Sequence, residues 1–162
     1  MLLLPICGWA QEEEARSRST NPFVNEVGFN AGATTGLGLS YRHWFDRAGI
    51  QITAMPYKLE NEALISGGLT AMLSLHNARY VRIFGYWGNH LWYRSWRHTD
   101  YNTGATKTDT DTRYNTGVGF GFSLGRVVAF NISIGYGAYN VLGGWDALSL
   151  LPTGEVGLYW RF

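Results

Sequence analysis

Residues 154–162 read GEVGLYWRF, and two kinds of side chain alternate along them. Successive side chains of a β-strand point to opposite sides, so alternation with a period of two indicates a strand with two unlike faces. One face is apolar and consists of Val156, Leu158, Trp160 and Phe162. The other face is small or polar and consists of Glu155, Gly157, Tyr159 and Arg161.

The same alternation runs back through the chain to Phe23 and predicts eight strands. They cover residues 24–33, 36–45, 49–57, 65–75, 78–96, 112–124, 127–139 and 154–162. Tight turns rich in turn-forming residues are expected at 46–48, 76–77 and 125–126. Longer loops are expected at 58–64, 98–111 and 140–151, with 33–36 as a short exception. Short turns thus alternate with longer loops, and an even number of strands places both termini at the end with the short turns.

The composition decides how these strands are arranged. The chain has 162 residues, enough for one domain, of which 46% are hydrophobic and only 15% charged. In a soluble lipocalin-like barrel the bulky face would point inward and the other face would be charged. Here the second face is mostly Gly, Ser, Thr and Asn, which suits the narrow lumen of an eight-stranded barrel whose bulky face contacts lipid. The sequence therefore predicts an all-β fold, an eight-stranded antiparallel up-and-down transmembrane β-barrel.

Charged side chains are expected inside this barrel, because an ionised arginine facing lipid costs about 2–4 kcal/mol at the bilayer centre. If Arg82 points inward, Phe84 and Tyr86 also point into the lumen, unless a bulge near Gly85 or Gly88 reverses the alternation of side chains along the strand. The predicted lumen charge network consists of Glu26, Arg42, Arg82, Arg113, Glu155 and Arg161.

Within this network we expect two levels. Glu26 lies near the termini and pairs with Arg161 or Arg42, whereas Glu155 lies higher, near Arg113. Separately hydrated charges without coupling are the alternative. Aromatic residues near strand ends, Trp44 and Trp92 among them, are expected at the membrane interface.

The N-terminus predicts a targeting segment. Residues 1–10 read MLLLPICGWA, an apolar stretch with Gly8 and Ala10 placed as at a signal-peptide cleavage site, but without the usual basic start. We interpret residues 1–10 as a signal peptide remnant, 11–22 as a short N-terminal periplasmic segment and 23–162 as the barrel.

The whole pattern from about Asn21 to Phe162 resembles the small eight-stranded bacterial outer-membrane β-barrel family, the class of OmpX and the OmpA membrane domain. The most specific feature is the terminal Phe162 preceded by Trp160, Leu158 and Val156, which is similar to the signal that the β-barrel assembly machinery recognises in that family. The resemblance implies an integral outer-membrane location, periplasmic termini, and contact with outer-membrane lipid and lipopolysaccharide. It also implies a structural or surface-interaction role, with an extracellular or envelope protein as the partner of its loops.

Other functions are less well supported by the sequence. A net charge of +1 with scattered arginines gives no case for nucleic acid. No histidine pair has a metal-ligand spacing, so neither a metal nor a cofactor is predicted. A lipid A-modifying enzyme stays an alternative through His98, although Asp100 stands where a deacylase has its serine. A wide pore is excluded by the strand number, which leaves a narrow channel or a lateral path for small hydrophobic solutes as a further alternative.

Overall fold

The computed structural model describes residues 23–60, 62–99 and 106–162, which form eight strands and one short 3-10 helix, Val141–Gly143. The strands are β1 (Asn25–Gly32), β2 (Gly36–Phe45), β3 (Ala48–Lys58), β4 (Glu62–Asn77), β5 (Val81–Thr99), β6 (Thr106–Leu124), β7 (Val128–Tyr139) and β8 (Ser149–Arg161). No helix within these ranges is long and apolar enough to cross a membrane. The predicted signal segment and the segment 11–22 lie outside the described residues, so the domain boundaries stay predictions.

The strands form a closed barrel in sequence order, and every neighbouring pair is antiparallel. β1 closes the ring against β8, in a register that runs from Glu26 opposite Arg161 to Ala31 opposite Val156. Closure pairs the backbone groups of both outermost strands, as a hydrocarbon environment requires. We call the end that holds Asn25 and Phe162 the basal end and the opposite one the upper end.

The distribution of side chains is inverted relative to a water-soluble protein. Phe130, Ile132, Leu158 and Trp160 point outward with 45%, 43%, 53% and 59% of their surface exposed. The buried side chains are mainly polar or charged, and they follow the predicted inward face of each strand. An apolar belt around a polar interior is stable only when lipid surrounds the belt. The predicted transmembrane β-barrel is therefore confirmed.

Three predicted loops are wrong in extent, because the strands at the upper end continue further. The expected loop 98–111 is largely strand, since the β5–β6 ladder reaches from Val81 opposite Leu124 to Thr99 opposite Thr106. Threonines alternating with charged residues favour an extended chain with two solvated faces, and this pattern explains the extension. β8 likewise begins at Ser149, inside the expected loop 140–151, and β4 begins at Glu62, inside the expected loop 58–64.

Trp44 and Trp92, which the sequence places at the membrane interface, lie on the inward faces of their strands instead. Trp44 has the same strand parity as Arg42, is 3% exposed and packs edge-on against Phe84. Trp92 follows the parity of His90 and lies edge-on to that ring at the upper end. Phe84 and Tyr86 are buried in the lumen as predicted, and no phase change occurs near Gly85 or Gly88. In the described residues the register shift of β4 and β5 falls between Ser74 and His76.

Candidate functional site: the lumen and its upper mouth

The basal half of the lumen contains a cluster of four charged side chains, Glu26, Arg42, Arg82 and Arg161, which we call the basal charge cluster. Oε1 of Glu26 accepts hydrogen bonds from Nη1 of Arg82 at 3.1 Å and from Nε of Arg161 at 2.9 Å. Its Oε2 lies 3.5 Å from Nη1 of Arg42. All four residues are at most 3% exposed. One carboxylate on β1 thus joins β2, β5 and β8 across the lumen.

Three arginines and one glutamate leave two excess positive charges, and aromatic faces and carbonyl oxygens surround them. The guanidinium carbon of Arg42 lies 3.8 Å from the ring centroid of Tyr159, and that of Arg82 lies 4.3 Å from the ring of Trp44. Arg161 donates to the carbonyl oxygen of Gly125 at 2.5 Å. Cation–π contacts and charge-assisted hydrogen bonds compensate for part of the lost hydration. The cluster therefore closes the basal half of the lumen.

The two upper charged residues lie at different depths. Arg113 lies at the mouth, pairs with Asp111 at 2.7 Å, and its side chain is 60% exposed. Glu155 is 5% exposed and is bound by the turn between β1 and β2. The two residues share the inward parity, but β6 rises far above the buried part of the lumen, and this height separates them.

The turn at residues 33–35, which we call the inserted turn, leaves the barrel wall and enters the lumen. Thr34 and Thr35 are 0% and 4% exposed, and both hydroxyls donate to the carboxylate of Glu155. The carbonyl oxygen of Ala33 accepts from the side-chain amide of Asn115 at 3.1 Å and lies 3.0 Å from Nδ1 of His90. The sequence interpretation treated residues 33–36 only as a short connection between two strands, so it missed the plug of the upper lumen.

Glycines on four successive strands make room for the inserted turn. A Cβ atom added to Gly68 would lie 2.1 Å from the carbonyl oxygen of Thr35, and one added to Gly88 would lie 2.6 Å from that of Thr34. Gly117 and Gly137 would each place a Cβ atom 2.7 Å from the methyl group of Thr34. These four glycines, on β4 to β7, are the signal in the sequence that could have revealed the inserted turn.

Because the turn bends inward, the barrel wall has a gap above the β1–β2 hairpin. The last pair of β1 with β8 is Ala31 with Val156, and the pairing of β2 with β3 ends at Leu39 with Ala54. Above these pairs, residues 55–58 of β3 pair with β4, and residues 149–155 of β8 pair with β7. On the side that faces the gap, neither segment has a partner in the described ladders. The backbone N–H of Leu37 instead bonds to the hydroxyl of Ser66 at 3.1 Å.

Two cavities lie on either side of this gap. The mouth cavity, of about 440 Å³, opens at the upper end and is lined by His90, Trp92, Arg94, Asp111, Arg113 and Asn115, with Leu37 at its edge. The outer groove, of about 590 Å³, lies on the lipid-facing wall. Its lining is mostly apolar and includes Phe29, Leu37, Leu39, Pro56, Val156 and Leu158.

Three residues of the predicted barrel-assembly signal occupy the outward face of β8, and the fourth, Phe162, follows the strand. Val156, Leu158, Trp160 and Phe162 are 49%, 53%, 59% and 55% exposed. Their apolar side chains contribute to the lipid-facing belt next to the closing seam with β1. Recognition by an assembly machinery stays a prediction.

Comparisons with known proteins identify the fold. No protein-family model matches the chain, and no curated protein matches it in sequence. The N-terminal β-barrel domain of Pseudomonas aeruginosa OprF superposes with a TM-score of 0.50 at 13% identity, over 89% of this chain and 99% of that domain. Ail, the attachment invasion locus protein of Yersinia pestis, gives a TM-score of 0.42 at 16% identity, over 86% of this chain and 95% of Ail.

The OprF domain is a β-barrel, as this chain is, and the fold agrees with the small eight-stranded class of OmpX and the OmpA membrane domain. At such low identity the likeness concerns the fold and no finer property. The resemblance to this class, which the terminal strand GEVGLYWRF first suggested, is confirmed at the level of the fold.

Proposed function

We propose that the chain is an integral protein of the bacterial outer membrane, with both termini in the periplasm and a structural or surface-interaction role at its upper end. The observation that carries this proposal is the height of the β5–β6 hairpin. Both strands have 19 residues, about 60 Å at roughly 3.3 Å per residue, whereas a bilayer core is about 30 Å thick. Even at a tilt of about 45°, the hairpin rises about 42 Å and extends beyond the hydrocarbon core.

The projecting part of this hairpin has a strand edge that no other described strand covers. β6 pairs with β7 only from Thr116 onward, so residues 108–114 pair with β5 alone among the described ladders. Their side chains are mostly exposed and alternate between threonine and charged residues. A polar edge with unpaired backbone groups suits a protein partner that adds a strand. We therefore assign the interaction with an extracellular or envelope protein to this edge.

The lumen supports a barrel that does not conduct. The basal charge cluster and the inserted turn fill its two halves, so the narrow axial channel is not favoured. His98 pairs with Asp109 at 3.2 Å, and both side chains are about half exposed on the projecting hairpin. A contact exposed to water does not provide the dry, fixed geometry that a catalytic dyad needs, and Asp100 lies outside the described residues. We assign no enzymatic activity to the chain.

Labelling of intact cells tests the location and the orientation. A membrane-impermeant maleimide should label the variant Thr108→Cys, on the projecting hairpin, and should not label Asp46→Cys, in the turn at the basal end. Labelling of Asp46→Cys alone would show that the orientation is reversed, and labelling of neither variant in cells that contain the folded barrel would contradict the outer-membrane proposal. Stable conductance in planar bilayers would favour the channel, and an acyl change in lipid A would favour the enzyme.

The two proposed roles are separated by shortening the hairpin. A variant with residues 97–108 replaced by an Asn-Gly turn keeps the strand pairs below Trp96 and Asp109. If the role is structural, this variant should restore detergent resistance to cells that lack the protein. If the role is a surface interaction, the variant should fold but fail to restore the lost phenotype.

A further inference from the structure

The wall gap connects a polar cavity with an apolar one. Leu37 lines both the mouth cavity and the outer groove, so the two spaces adjoin above the β1–β2 hairpin. Both volumes fall in the range that holds small ligands, about 300–1,000 Å³. A molecule that is polar at one end and apolar at the other could occupy both cavities at once.

The edges of the gap oppose closure by another strand. Pro56 lies on the unpaired edge of β3, and Pro152 lies on the unpaired edge of β8. Proline has no N–H to donate to a ladder, and it is typical of strand edges that stay free. The β1–β2 hairpin bends inward near Gly36 and Gly38, whose φ values of 95° and 128° favour glycine. The gap is therefore a persistent feature of this wall and a poor site for strand addition.

The two cavities differ in polarity. The mouth cavity is lined by Arg94, Arg113 and Asp111, and Glu62 pairs with Arg94 beside it, so these four charges balance. Arg94 pairs through Nε with Glu62, and Arg113 pairs through Nη2 with Asp111, but a guanidinium has five N–H donors and one such contact does not exhaust them. The lining of the outer groove carries no charged residue among those described. An anionic headgroup thus fits the mouth and an alkyl chain fits the groove.

We propose that the gap is a lateral binding site for a fatty acid. Its carboxylate contacts Arg94 and Arg113 in the mouth cavity, and its chain passes over Leu37 into the outer groove. This inference uses the membrane location of the barrel, but it does not depend on the surface role of the β5–β6 hairpin.

Binding of radiolabelled dodecanoate to the full barrel in phosphatidylcholine nanodiscs tests the path. The wild-type barrel should bind dodecanoate saturably above the level of empty nanodiscs. Leu37→Trp should fill the junction and weaken binding about tenfold. Leu69→Trp places the same bulk on the lipid-facing wall of β4, and it should leave binding unchanged. Equal binding by both variants, with circular dichroism showing folded barrels, would overturn the proposal.

The headgroup is tested with a charge variant and a neutral probe. The double variant Arg94→Gln, Arg113→Gln should weaken dodecanoate binding about tenfold, because two charge-assisted contacts are lost. Arg79→Gln at the basal end should have no effect. Dodecanol should compete poorly with dodecanoate. Equal competition by dodecanol, or full binding by the double variant, would overturn the fatty acid as the ligand, and competition by lipid phosphate alone would identify a phospholipid in its place.

Discussion

The two halves of the lumen are filled in different ways. In the basal half, side chains that belong to the strands themselves meet across the barrel, and Glu26 binds three arginines from β2, β5 and β8. In the upper half, the chain folds its own turn inward, and Glu155 binds two threonines of that turn. The strands themselves fill the basal half, whereas the inserted turn between β1 and β2 fills the upper half.

This difference affects how each half should respond to change. The basal charges are buried without an alternative partner of opposite sign among the described residues, since Glu26 is the carboxylate that all three arginines approach. The inserted turn is short, and its loss would expose polar groups at the upper end, where water is near. We therefore expect changes in the basal half to affect the whole barrel and changes in the upper half to act more locally.

The largest effect is expected for Glu26→Gln. The substitution preserves the shape but leaves Arg42, Arg82 and Arg161 buried without a countercharge, which should cost about 3–5 kcal/mol. The free energy of unfolding, measured by urea titration in phospholipid vesicles, gives this loss. Glu62→Gln is the matched control, because its pair with Arg94 is about half exposed and should contribute about 0–1 kcal/mol. Similar losses in both variants would mean that the cluster is hydrated and uncoupled.

The composition of the basal half could be predicted because two simple rules act on it. Strand parity places Glu26, Arg42, Arg82 and Arg161 on inward faces, and the cost of a charge in lipid excludes the opposite phase. The register of β1 with β8 then brings Glu26 opposite Arg161. Trp44 follows the same parity, and it was misplaced only because an aromatic residue near a strand end also fits the membrane interface.

A smaller effect, confined to the upper half, is expected for Gly68→Ala. The new methyl group would meet the carbonyl oxygen of Thr35 at 2.1 Å, and the turn must move out of the lumen. Such overpacking costs about 1–3 kcal/mol, and hydrogen exchange at residues 33–36 should accelerate. Gly67→Ala is an adjacent control, since a Cβ atom there meets no atom within 4 Å. Unchanged exchange in Gly68→Ala would show that the turn does not occupy the lumen.

The inserted turn could not be predicted from periodicity, because its position depends on residues far apart in sequence. Strand parity assigns Gly117 and Gly137 to the small lumen face, together with the inward rings of Phe84 and Tyr86. Gly119 and Gly121 do face those rings, whereas Gly117 and Gly137 face Thr34. A glycine pattern alone does not show whether a side chain or a piece of backbone fills the space that it leaves. The sequence placed Arg113 too deep for a related reason. Strand parity predicts which face of the strand a residue lies on, but not how far the buried part of the lumen extends along that strand.

The smallest effect is expected for Thr34→Val, which tests whether polar contacts hold the turn. Valine keeps the methyl group that packs on Gly117 and Gly137 but loses the hydroxyl that donates to Glu155. Because Thr35 and the backbone N–H of Thr34 still donate to that carboxylate, the loss should be about 1 kcal/mol, seen by the same urea titration.

Thr70→Val is the control for this substitution. Thr70 is 1% exposed in the same lumen, and its hydroxyl has no hydrogen-bond partner among the described residues. Removing an unpaired buried hydroxyl should leave stability unchanged or raise it slightly. If Thr34→Val and Thr70→Val behave alike, packing against the glycines holds the turn. The hydroxyl of Thr34 then only satisfies the buried carboxylate of Glu155. A loss in Thr34→Val alone would mean that the carboxylate anchors the turn, as Glu26 anchors the arginines of the opposite half.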